Sequence, residues 1–133
     1  IRSYTKETSI SKVYQTLGEK KFRDIEEEVI AHLPPCSILA VGGGALIRSS
    51  NQKRLQNLGE LVYLHAKFET IAGRILKAPL PAFLDPLDPL HSLRVLYEER
   101  LSLYTSLPSF TIDVDENSEE IILQNLKRIF YGL

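Results

Sequence analysis

The 133-residue chain contains no methionine, not even at position 1, and a single cysteine, Cys36. One thiol excludes an internal disulfide; at the entry to an apolar run it reads as a buried, inert group kept reduced, which places the protein in the cytoplasm. The missing methionine implies a piece of a longer product. Neither sign of charge is in excess: 16 Lys and Arg stand against 17 Asp and Glu, a net charge of −1. The footprint of a nucleic-acid or membrane-surface binder is therefore absent. No apolar stretch approaches the length of a membrane span. His32, His65 and His91 lie far apart, with no metal-ligand spacing to Cys36 or to carboxylates. There is no internal repeat, low-complexity tract or linker.

What is present fits one globular domain over residues 1–133. Apolar residues make up 44% and charged residues 25%, ordinary proportions for a chain with a real core. Ser9 to Leu17 reads as a short helix closed by Gly18. Phe22, Ile25, Val29 and Leu33 keep helical spacing until Pro34-Pro35 ends the run. The apolar stretch Ser37 to Val41 reads as a strand running into Gly42-Gly43-Gly44. Ser49 or Ser50 can cap a helix through Leu55 and Leu58 that stops at Gly59. A strand at Leu61–Leu64, a helix at Phe68–Leu76, a helix at His91–Tyr104 and a strand at Phe110–Asp113 follow. Asn117-Ser118-Glu119-Glu120 is a capping signature for a last helix that buries Ile121, Ile122, Leu126, Ile129 and Phe130. Four prolines between residues 78 and 89 exclude a helix there, and Asp85 and Asp88 read as turn formers. Strands alternating with helices imply a parallel α/β sheet.

Consecutive glycines at the end of an apolar strand let a ligand approach the backbone, at the end of the sheet where open α/β folds bind ligands. In order, Gly18-Glu19-Lys20-Lys21-Phe22-Arg23, the triple glycine, and Arg100-Leu101-Ser102-Leu103-Tyr104 resemble shikimate kinase from just after its second strand to its C-terminus. The resemblance implies a three-layer, parallel-sheet P-loop kinase fold of strand order 2-3-1-4-5, here lacking the first two strands. It implies transfer of the ATP γ-phosphoryl group, with Mg²⁺, to the 3-hydroxyl of shikimate. The small-molecule substrate is the one partner implied, and the oligomeric state is left open. Alternatives are a related kinase, such as one acting on gluconate, and a non-catalytic shikimate-binding homologue.

By the same resemblance, Arg23 and Arg100 hold the substrate carboxylate, Gly42, Gly43 and Gly44 bring the backbone to it, and Glu26 and Phe22 support the site. An arginine's planar fork matches a carboxylate with two charge-assisted hydrogen bonds. From spacing alone, Arg23 could equally be a solvated helix residue, and Arg100 a surface partner of Glu98 or Glu99. Residues 78–89 match the family lid, but Leu80-Pro81-Ala82-Phe83-Leu84 carries no arginine where the family has one. Arg74, Lys77 and Ser118 are the candidates for the nucleotide side. A Gly-x-x-x-x-Gly-Lys-[Ser/Thr] phosphate loop does not occur, nor does the Asp-Thr-Asp segment of the family. The expectation is an N-terminally truncated kinase domain, inactive on its own. An empty slot should separate Ile38–Val41 from Leu61–Leu64, which should instead pair with Phe110–Asp113.

Overall fold

The computed structural model describes residues 9–35, 38–107 and 109–132. The expectations for Cys36 and for the first residues lie outside them. Helix α1 (Ile10–Ala31) is capped by the Ser9 hydroxyl and breaks at Gly18, whose φ of 79° takes the chain out of helical geometry. An L side chain rarely adopts that conformation, so glycine there joins two helices at a kink. Helix α2 (Ser49–Leu58) ends at Gly59, but its N-cap is Arg48, not a serine. The Ser50 hydroxyl is drawn away to Glu27 Oε1 of α1 at 2.6 Å. Arg48 reaches the same helix, donating to Asp24 Oδ1 at 2.7 Å and to Glu27 Oε2. Residues between the helices are thus fixed by charge-assisted bonds to α1.

Strands β1 (Val62–His65) and β2 (Phe110–Asp113) pair in parallel, with Val62 opposite Phe110 and His65 opposite Asp113. Parallel neighbours need a crossover. Here it is formed by helix α3 (Phe68–Ile75), an irregular stretch, and helix α4 (Pro89–Ser106). Helix α4 starts two residues earlier than its apolar pattern indicates, because Pro89 occupies the first turn and Asp88 caps it by accepting from His91 N. Asp85 closes its own turn by accepting from Leu87 N at 2.8 Å. Helix α5 (Glu119–Tyr131) is capped by Ser118 and stops at Gly132 with φ 67°.

Two corrections concern the sheet and its cover. Ile38–Val41 forms no strand ladder among the described residues. An apolar run becomes a sheet strand only where a neighbour pairs with its backbone, and β1 pairs with β2 instead. Helix α5 buries none of its apolar residues: Ile121 is 44% exposed and Leu123 50%. Periodicity marks the face that requires cover; it does not supply the cover.

The consequence is a divided core. Ile30, Ala45 and Leu55 form one cluster; Phe68, Ala72, Leu84 and Leu93 form another. Between Ile38–Val41 and β1 runs an apolar trough of about 620 Å³, lined among others by Leu61, Tyr63, Leu126 and Phe130. That is where the expected slot in the sheet falls.

Candidate functional site

Phe22, Glu26 and Ile30 repeat every fourth residue and form the buried stripe of α1. Arg23 sits at the edge of that stripe, one turn before Glu26, and its Nη1 donates to Glu26 Oε2 at 2.6 Å. Both side chains are nearly enclosed, at 12% and 10% exposure. Such a pair fixes the guanidinium more than it stabilises the fold, because both charges have lost much of their water. The Phe22 ring lies under Arg23, 5.2 Å from its guanidinium carbon, and Tyr14 packs on Phe22 in turn.

Arg100 comes from the last turns of α4. It forms no ion pair among the described residues, so neither Glu98 nor Glu99 neutralises it. The Phe83 ring stands 5.7 Å from its guanidinium carbon. The Nε atoms of Arg23 and Arg100 are both buried without a hydrogen-bond partner. Arg54 Nε shares this state away from the site, so what favours an anion here is that the Arg23 and Arg100 side chains border one cavity.

The triple glycine brings the arginines together. Ala45 N donates to Gly42 O at 3.0 Å and Ile47 N to Gly44 O at 3.2 Å, which folds the chain into a tight turn. A Cβ on Gly43 would stand 2.7 Å from Arg100 Nη1, and one on Gly44 would stand 2.5 Å from the Arg23 guanidinium carbon. Gly42 is different, since a Cβ there would meet nothing within 4 Å. The adjoining glycines each make room for one arginine.

The adjacent cavity of about 480 Å³ is bordered by Arg23, Arg100, Tyr14, Phe83, Glu19 and Glu99. Its size suits a small molecule. Burial raises the Tyr14 hydroxyl above its ordinary pKa, with Glu19 adding to the effect. Tyr14 therefore keeps its proton and can donate. The arrangement can hold one carboxylate with forked cationic donors at one end and meet hydroxyls at the other.

Three residues at this site were not singled out from the sequence: Tyr14, Phe83 and Tyr104. The Tyr104 hydroxyl donates to Gly43 O, and only its position four residues after Arg100 on one helix face hinted at this. The candidates for the nucleotide side lie away from this cavity's lining. Arg74 and Lys77 are exposed at the end of α3, and the Ser118 hydroxyl accepts from Ile121 N as the cap of α5. No group of His, Cys, Asp and Glu suited to a metal ion occurs among the described residues. No helix among them is long and apolar enough to cross a membrane.

The parallel α/β architecture is that of a P-loop kinase fold, with two arginines gathered at a glycine turn. The chain belongs to the shikimate kinase family, whose model matches residues 1–130. It is 33% identical over 113 residues to shikimate kinase of Pseudomonas putida (strain F1), covering 84% of this chain and 66% of that protein. It is 41% identical over 109 residues to that of Paracidovorax citrulli, covering 78% of this chain and 59% of the relative. The chain thus spans just under two thirds of the length of these curated relatives. Shikimate kinase from Acinetobacter baumannii in complex with shikimate superposes with a TM-score of 0.82 at 25% identity, covering 98% of this chain and 74% of that one.

Proposed function

We propose that this chain forms the acceptor side of a shikimate kinase, binding shikimate for phosphorylation at its 3-hydroxyl by ATP. The observation that carries the reading is the pair of guanidinium groups, Arg100 against Gly43 and Arg23 against Gly44, on the border of one cavity. Arg23, oriented by Glu26, and Arg100 grip the carboxylate. Phe22 packs beneath Arg23, and the lid of residues 78–89 covers the ring with Phe83. Holding the acceptor in one pose and keeping water from it is what phosphoryl transfer most requires of a protein.

ATP with Mg²⁺ supplies the phosphoryl group in this family. Among the described residues, Arg74 and Lys77 are open to solvent and Ser118 caps α5. They remain the proposed nucleotide contacts, and the reading locates the enzyme in the cytoplasm. Calorimetric titration of the chain with shikimate and with gluconate tests the substrate. Shikimate should bind and gluconate should not; equal binding of both would point to a related kinase, and binding of neither would remove the reading.

A further inference from the structure

The glycine turn is held from one side by a residue with no assigned part in the site. Tyr104 stands one helical turn after Arg100, its ring packed on Tyr63 of β1 at 5.1 Å between centroids. Its hydroxyl donates to the carbonyl oxygen of Gly43. No peptide in the described chain is cis, so the carbonyl of Gly43 and the N–H of Gly44 point in opposite directions from one rigid plane. Fixing the carbonyl therefore fixes the N–H. Gly44 is buried, and its N–H meets no acceptor among the described residues. A buried amide without a partner is rare, and this one adjoins two unpaired guanidinium donors.

We infer that Tyr104 is a positioning residue for carboxylate recognition: by holding the Gly43 carbonyl, it sets the Gly44 N–H as a third donor beside Arg23 and Arg100. Burial keeps the Tyr104 hydroxyl protonated by raising its pKa, although Arg100 and Arg23 pull the other way. The hydroxyl thus remains a donor throughout the neutral range. Its ring also borders the apolar trough, which places the turn under the control of the packing around Tyr63. The inference rests on the shikimate reading above and deepens it.

The test is a pair of calorimetric titrations on the chain, with shikimate and with the same trihydroxylated ring lacking its carboxylate. Tyr104→Phe keeps the stacked ring and removes one oxygen. One neutral hydrogen bond corresponds to about a 3- to 10-fold change in affinity. Tyr104→Phe should weaken shikimate by that factor and leave the carboxylate-free ring unchanged, with the melting temperature preserved. Gly43→Ala, which displaces Arg100, should show the same selective loss. Wild-type affinity in Tyr104→Phe would overturn the inference, as would equal weakening of both ligands or loss of the fold. Failure of the unmutated chain to bind either ligand would instead remove the underlying reading.

Discussion

Arg23 lies against Gly44 so closely that the space a Cβ would occupy is already taken by the guanidinium group. Arg23 cannot simply retreat, because Glu26 holds it at 2.6 Å in a nearly enclosed pocket. Overpacking usually costs about 1–3 kcal/mol. Here the obstructing atoms are the end of a long side chain, so the turn can be kept by expelling the arginine.

Gly44→Ala should therefore lower the melting temperature, since expelling Arg23 leaves Glu26 buried without its partner, and weaken shikimate about tenfold or more. Gly42→Ala, at the open end of the turn, should alter neither quantity. Thermal melts paired with calorimetry check both, and a fully bound Gly44→Ala protein would show that Arg23 is not needed where it stands.

Glu26 orients Arg23 without facing the ligand. Glu26→Gln keeps the shape and removes the charge, so Arg23 should remain near the turn but less firmly fixed. A loss of shikimate affinity of about 3- to 10-fold is expected, since one charge-assisted bond becomes an ordinary one. Glu26→Ala should also cost stability, because it leaves a largely buried arginine uncompensated. A Glu26→Ala protein as stable as the unmutated one would contradict the pairing.

The corner after β2 should open in acid. The Glu116 backbone N–H, with His65 and the Asp115 N–H, holds the Asp113 carboxyl below its ordinary 3.8, against the effect of burial. The Lys67 N–H does the same for Asp115. A carboxylate with a lowered folded value contributes stability that is complete above the unfolded value. That contribution is lost as the pH falls below 3.8 through the folded value. Protection of the Lys67 and Glu116 amides, taken relative to the intrinsic exchange rate at each pH, should fall in that window and be retained at neutral pH. Unchanged protection would exclude these carboxylates as the clasp.

The proposed lid, residues 78–89, is held by the buried Leu84 and by the Asp85 N–H, which donates to Ser92 Oγ at 3.1 Å. Leu84 is buried at 5% exposure in the cluster with Phe68, Ala72 and Leu93, and its N–H bonds to Pro81 O at 3.1 Å. Phe83, 42% exposed, faces Arg100. Hydrogen exchange should be fast at Phe83 and slow at Leu84 in the free chain, and shikimate should protect Phe83. Equal protection at both before ligand is added would count against a lid.

Much of this was legible in the sequence, and the limits have physical causes. The spacing of Phe22, Ile25, Val29 and Leu33 marks the helix, but the buried stripe is Phe22, Glu26 and Ile30, because the Arg23–Glu26 pair turns that face inward; Gly18 stops one helix and starts another because its signal is local. Parallel pairing of β1 with β2 and the proximity of Arg23 to Arg100 depended on a motif order, since spacing alone cannot bring distant helices together. Ile38–Val41 lacks the strand conformation, and α5 the burial, that their apolar patterns imply, because an apolar pattern states a demand and not its fulfilment. Tyr104 and Phe83 escaped notice because what matters is the partner each meets far along the chain. Neither Gly43 nor Arg100 advertises that contact.

Titration of shikimate into the unmutated chain, Arg23→Ala and Arg100→Ala tests the account most directly. Removing one partner of a buried charged hydrogen bond costs on the order of 2–4 kcal/mol. Each variant should therefore lose roughly 30- to 900-fold in affinity while remaining folded. Variants that bind shikimate as the unmutated chain does would show that the two arginines do not form its site.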